Sequence, residues 1–205
     1  MKPTKILTYV GALVVIIILI FNINPNSSAT VETGNYAEEV KQHRREKHEF
    51  MESHEASPFV EQSVPFDSLK YFKIDESFKV KATVEEIKDG EVHRLATSDG
   101  KEKNFTEVAI LHFDLQKSHQ DLTLLKSQET SDYFLPFYDE TSAITTYGSG
   151  RYLEVDYAPG NSKITLDFNY AYNPYCAYTT GYSCPVPPKK NYINIAVNAG
   201  EKNYD

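Results

Sequence analysis

The chain reads as a mainly β domain: an antiparallel sandwich or small barrel of seven to eight short strands behind one N-terminal α-helix, with a single transmembrane helix ahead of it. Three observations predict this. Residues 36–54 carry no Gly or Pro and place apolar side chains at helical spacing. From Pro58 onward the apolar period falls to two, and turn residues recur between short alternating runs. Ahead of both, Ile6 to Phe21 is an uncharged apolar run.

That run, extended to Ile23, is long enough to cross a ~30 Å hydrocarbon layer at ~1.5 Å per residue. It exceeds the ~7–15 apolar residues of a cleavable signal peptide, and NPNSSAT behind it is a poor cleavage site. The first cysteine is Cys176, which excludes lipoprotein processing. Lys2 and Lys5 precede the run and no cation follows until Lys41, so the positive-inside rule keeps the tail cytoplasmic. Residues 1–24 are therefore expected to be a signal anchor and 25–35 a polar linker. Residues 36–205 are expected to form one exported domain at the periplasmic or cell-surface side, its partner being the membrane through that helix.

Within the domain, Tyr36, Val40, Phe50 and Met51 fall near one helix face. The basic stretch His43 to His48 is interleaved with Glu46 and flanked by Glu38, Glu39 and Glu49, which reads as a solvated face. Phe78 to Ile87 alternates Phe78, Val80, Ala82 and Val84 against Lys79, Lys81, Thr83 and Glu85, a half-buried strand. Asp89-Gly90 turns, Glu91 to Thr97 returns, and Ser98-Asp99-Gly100 turns again. Thr106 to Leu115 and Leu122 to Gln128 continue the meander across Lys117 to Asp121. Arg151 to Asp156, a turn at Ala158 to Asn161, Lys163 to Phe168 and a terminal strand Tyr192 to Asn198 complete it.

Charge narrows the partners. The formal net charge is −8, and −10 without the first 24 residues, which hold Lys2 and Lys5 and no acid. Nucleic-acid backbones are bound by clustered Lys and Arg, so no nucleic-acid partner is expected. His48-Glu49 lacks a histidine at position 52 and fails as a metalloprotease helix. His112 reads as a partly buried strand histidine. Gly148-Ser149-Gly150 is followed by Leu153 where a dinucleotide loop needs glycine, and Gly181 to Pro185 ends in proline where a nucleophile elbow needs a helix.

The segment Asp167 to Pro188 is unusual. It gathers Asp167, Asn169, Asn173, Cys176 and Cys184 among tyrosines, and eleven of the fifteen tyrosines lie between Tyr133 and Tyr192. Four prolines stiffen it, which marks an ordered loop of the kind that carries function or caps a sheet. Two chemistries compete for Arg151: a buried structural pair with Asp139 or Asp167, or a bidentate grip on an anionic ligand. Cys176 and Cys184 can close a disulfide over nine residues, contributing roughly 2.5 kcal/mol by loop entropy. They can instead ligate a metal, though their spacing is no recognised zinc knuckle, serve as a catalytic cysteine, or stay inert thiols.

The runs LPFYDETSAITTYGSGRYLEVDY, ITLDFNYAYNPYCAYTTGYSCPVPPKKN and INIAVNAGEK resemble a bacterial and archaeal family, domain of unknown function 1684. The likeness extends over about Tyr36 to Lys202. The family pattern maps onto Arg44, Lys47, Phe50, Tyr147, Gly150, Arg151, Tyr152, Asp167, Asn169, Asn173, Cys176, Cys184 and Pro185, all present. The resemblance supplies positions without roles. It includes relatives that look cytoplasmic and carry the cysteine pair, which favours a metal or paired thiols, whereas export favours the disulfide.

The expected function is a membrane-tethered cell-envelope module that is not an enzyme. Arg151, Asp167, Asn169, Tyr172, Asn173 and Tyr178 would bind a small molecule, glycan or envelope protein, with Cys176 and Cys184 as the disulfide. No cofactor is expected, a metal at the two cysteines being the minor reading. The alternative is a hydrolase or metal-dependent enzyme, which needs Arg151, Asp167, Cys176 and Cys184 in one pocket.

Overall fold

The computed structural model describes residues 36–204. The helix α1 (Tyr36–Ser53) buries Val40 and Met51. A four-residue turn of helix, α2 (Pro58–Glu61), follows, capped by Ser57, whose Oγ accepts the Phe59 amide at 3.2 Å. Eight strands come next: β1 (Lys79–Glu86), β2 (Val92–Ala96), β3 (Glu102–Leu115), β4 (Ser118–Ser127), β5 (Tyr133–Asp139), β6 (Arg151–Leu153), β7 (Lys163–Asp167) and β8 (Tyr192–Ile193).

They form one curled half-barrel sheet in the order β6-β5-β4-β3-β1-β7, with β2 beside β3 and β8 beside β5. Every ladder is antiparallel except the short β5–β8 pair. A sandwich of two sheets is thereby replaced by a single sheet that bends around its own core. One isolated bridge links its two ends: Tyr152 of β6 and Tyr172, beyond β7, exchange amide–carbonyl bonds of 2.9 and 3.0 Å.

The length of β3 explains the topology. Its C-terminal half pairs with β1 through Ala109 to His112, and its N-terminal half pairs with β2 through Glu102 to Thr106. β1 and β2 therefore share a neighbour instead of forming the hairpin that Asp89-Gly90 suggested. Along β3 every second residue from Phe105 to Leu115 is buried, as a half-exposed strand requires. The β3–β4 hairpin turns at Gln116 and Lys117, both at positive φ (49° and 67°), the conformation of a two-residue primed turn. β4 accordingly starts at Ser118, four residues earlier than the apolar run beginning at Leu122.

Although Pro136 interrupts it, β5 pairs with β4, β6 and β8. The terminal strand shrinks to Tyr192–Ile193, because side chains rather than a ladder hold the carbonyls that follow. The core comprises Leu111, Leu122, Leu135, Phe137, Leu166 and Phe168 with their neighbours.

The expected membrane helix and linker fall on residues 1–35, outside the described residues. Among the described residues no helix is long and apolar enough to cross a membrane. The single-pass localisation, with its cytoplasmic N-terminus and outside domain, is withdrawn on that finding, and the cell-envelope reading that rested on it goes with it.

Candidate functional site

The basic stretch of α1 is only partly a solvated face: His43, Arg45 and Glu46 are exposed, while Arg44, Lys47 and His48 are half-buried. Arg44 lies 4.4 Å over the Tyr71 ring and donates to the Phe72 carbonyl at 2.9 Å. Lys47 lies 4.4 Å from the Tyr172 ring centre and pairs with Glu201 at 2.7 Å. Glu201 is 1% exposed and also accepts from the Asn173 amide (2.9 Å) and the Tyr178 hydroxyl. One buried carboxylate thus joins the helix, the tyrosine-rich loop and the C-terminal segment. Burial and Glu201 together push the Tyr178 phenol well above its ordinary pKa.

Most of the expected ligand-binding residues are used inside the fold. Arg151 is 1% exposed; its guanidinium donates to Asp139 (2.9 Å) and to the carbonyls of Val197, Ala199 and Glu201 (2.9, 2.5 and 3.1 Å). The structural pair with Asp139 is the one that forms. Asn169 exchanges two bonds with the Asp75 backbone, at 3.0 and 2.8 Å. Asn173 Nδ2 donates to the Lys202 carbonyl at 2.8 Å. Asp167 caps the 3-10 turn Phe168–Tyr170 through the Asn169 amide. Arg151, Asn169 and Asn173 are thus each buried and bonded to backbone groups of the fold.

What remains open is a groove of about 540 Å³ between α1 and the β6–β7 end of the sheet. Phe50 and Met51 of α1 form one wall, and Tyr170, Tyr172 and Tyr175 form the other. Glu154, Asp156 and Asp167 lie along it with Lys47 and Lys79. Tyr172 donates its hydroxyl to Glu154, and burial followed by Glu154 raises the phenol's pKa. Of the expected residues, Tyr172 and Asp167 line this groove, while half-buried Tyr178 is outside its lining and bonds Glu201. Sequence reasoning missed Phe50, Met51, Glu154 and Asp156 as parts of one site. The signal available was Tyr170 and Tyr172 two residues apart, facing a helix whose apolar stripe ends in Phe50-Met51.

Cys176 and Cys184 lie elsewhere, close together and as free thiols in this structure. The Cys176 amide donates to Cys184 Sγ at 3.2 Å, and Cys184 lines a second cavity of about 430 Å³ with Tyr152, Tyr175 and Tyr182. Among the described residues no carboxylate or histidine groups with the sulfurs as metal ligands; the cluster that does form is His112, His119 and Asp121 on the outer sheet face. The four residues of the enzyme alternative occupy three environments. Arg151 is sealed in the core, Asp167 borders the groove, and Cys184 borders the second cavity with Cys176 beside it.

The family described as protein of unknown function (DUF1684) matches residues 64–202. The solution NMR structure of an uncharacterized protein from Haloarcula marismortui superposes with a TM-score of 0.61 at 38% identity, covering 80% of this chain and 92% of that one. No curated protein matches the chain.

Proposed function

We propose a function from the premise that this chain belongs to the family described as protein of unknown function (DUF1684): it is a binding domain that takes a small cationic molecule with an aromatic or flat apolar body. The observation that carries this reading is the composition of the groove. Three tyrosines, Phe50 and Met51 offer apolar contact at low entropy cost, since an aromatic ring has few rotamers to lose. The carboxylates Glu154, Asp156 and Asp167 outnumber the lysines Lys47 and Lys79 along it. A cation over a tyrosine face gains further attraction, worth about 0.5–2 kcal/mol.

Nothing in the groove resembles a nucleophile with its base. Among its lining residues His43 is the sole imidazole, and burial together with Lys47 lowers its pKa. A binding role uses what is present without requiring such a pair.

The test is a thermal-shift and NMR shift-perturbation screen of the full chain with matched aromatic amines and aromatic acids. The amines should raise Tm and move resonances of Tyr170, Tyr175 and Met51. Saturation at one hundred times Kd stabilises the fold by about 2.7 kcal/mol. Asp156→Asn and Tyr175→Ala should each weaken binding several-fold. Acids binding as well as amines, or perturbations confined to other surfaces, would overturn the reading.

A further inference from the structure

The approach of Cys176 to Cys184 is imposed by the chain around them. Cys176 sits in the 3-10 turn Tyr175–Ala177. Cys184 is tied to the β2–β3 connection from both directions: its amide donates to Ser98 Oγ at 3.1 Å, and its carbonyl accepts the Ser98 amide at 2.9 Å. Ser98 Oγ donates to the Tyr182 carbonyl (2.9 Å) and Ser183 Oγ to Asp99 (2.8 Å), fixing the residues just before it. Two half-buried thiols are thus held side by side, Cys184 Sγ on the Cys176 amide and Cys184 at the wall of a cavity.

Three roles compete for such a pair. A four-coordinate metal would need two more ligands, and no His, Asp or Glu among the described residues joins the sulfurs. An acyl-transferring cysteine needs a base to receive and return a proton, and among the described residues no histidine bonds to either thiol. Thiol–disulfide exchange needs only a thiolate, a second thiol within reach and space for the incoming disulfide. Cys184 lies within reach of Cys176, and the cavity that Cys184 lines leaves space beside the pair. The Cys184 S–H bond, with help from the Ser98 and Tyr147 hydroxyls, brings the Cys176 thiol down to about 6, and the same bond pushes Cys184 up.

We propose that Cys176 and Cys184 form an exchange site for low-molecular-weight disulfides, with Cys176 as the attacking sulfur and Cys184 as the resolving one. The Cys176 thiolate attacks one sulfur of R–S–S–R; that S–S bond breaks and RS⁻ leaves, taking a proton from solvent. Cys184 then gives up its proton and attacks the Cys176 sulfur of the mixed disulfide. The bond to R breaks, a second RS⁻ leaves, and the Cys176–Cys184 disulfide remains. Two protein thiols are oxidised and one small disulfide is reduced to two thiols. Lys103 lines the cavity beside Cys184, so disulfides bearing carboxylates, such as glutathione disulfide, suit the site.

The test uses the full chain, reduced and then titrated with glutathione disulfide against glutathione, and read by intact mass. The wild type should lose about 2 Da, through one S–S bond, and recover it in excess glutathione. Cys184→Ser should stop at the mixed disulfide and gain one glutathionyl group. On the reduced wild type at neutral pH, iodoacetamide should label Cys176 at least tenfold faster than Cys184. Loss of no mass at any ratio, or equal labelling of the two thiols, would overturn the proposal. So would a native mass carrying zinc. The readout does not depend on the groove being occupied, so the two proposals fail separately.

Discussion

Arg151 and Asp139 form a 2.9 Å ion pair in which each side chain is 1% exposed. Around it the Arg151 guanidinium takes the carbonyls of Val197, Ala199 and Glu201, and Asp139 accepts the amides of Val197 and Thr141. The pair therefore does for the C-terminal segment what a neighbouring strand would do, satisfying backbone groups that cannot reach water. Burial alone would lower the arginine pKa, and Asp139 opposes that shift.

Removing either partner should be severe. Arg151→Met leaves the buried Asp139 carboxylate without its cation and three carbonyls without their guanidinium donor, and a loss of about 3–5 kcal/mol is expected in urea unfolding. Arg151→Lys should recover little, because an ammonium is a point donor and cannot span three carbonyls and a carboxylate. A lysine variant as stable as the wild type would show that charge, not the planar fork, is what the site requires.

Lys47 and Glu201 bind the helix to the domain in the same way. Glu201 is buried beneath Lys47, Tyr178 and the Asn173 amide. Lys47→Ala should destabilise the chain by about 3 kcal/mol by leaving a buried carboxylate without its cation. Lys47→Ala with Glu201→Gln should be less costly than the single change, since the uncompensated charge is gone. A double-mutant cycle measures this directly. Additivity of the two changes would mean that the ion pair is not the coupling.

Gly200 sits at φ +76°, and a Cβ there would lie 2.5 Å from the Ala171 carbonyl oxygen. Its own carbonyl accepts the Phe72 amide at 2.9 Å, so the backbone cannot shift freely. Gly200→Ala combines a left-handed backbone, costing about 1–2 kcal/mol, with a clash against main chain. Gly100, also at positive φ (+79°), has nothing within 4 Å of the added Cβ. Gly100→Ala should therefore lose the backbone term alone. Thermal unfolding of the two variants separates strain from clash, and a larger loss at Gly100 would contradict the packing described.

The parts of this fold that were legible in the sequence were those governed by local periodicity. The alternation of Val80, Ala82 and Val84 and the Gly-free run of α1 fix their own secondary structure. The single sheet was less legible, because β3 pairs with both β1 and β2 and only the length of β3 hints at it. β5 was hidden by Pro136, whose missing donor is tolerated here and whose carbonyl accepts Asn191 Nδ2 at 2.8 Å. The groove was illegible for a different reason. Phe50 and Tyr170 are far apart in sequence, and whether Lys47 faces water or Glu201 depends on a contact no local pattern encodes. Asn169, Asn173 and Arg151 looked like ligand-binding groups because buried backbone satisfaction and ligand binding select the same polar residue types.

On the outer face of β3–β4 the register places His112 opposite Asp121 and Asp114 opposite His119. His112 Nδ1 lies 2.6 Å from Asp121, its Nε2 lies 3.0 Å from Glu85 of β1, and the His119 ring stacks at 6.3 Å. The hydrogen bonds to Asp121 and then Glu85 raise the His112 pKa above 6.5. A histidine whose folded pKa is raised stabilises the fold fully below its unfolded value, and that stability is lost as pH rises through the folded value. His43 acts in the opposite sense: its folded pKa is lowered by burial and Lys47, so its contribution is lost as pH falls. Unfolding of the wild type alone would mix the two, so His112→Gln is the informative comparison. The stability difference between wild type and His112→Gln should shrink steadily from pH 6 to pH 8, and more steeply at low salt, since the pair is solvent-exposed and screened. An NMR titration that puts His112 below 6.5, or a difference that does not change with pH, would show that the carboxylates do not hold its proton.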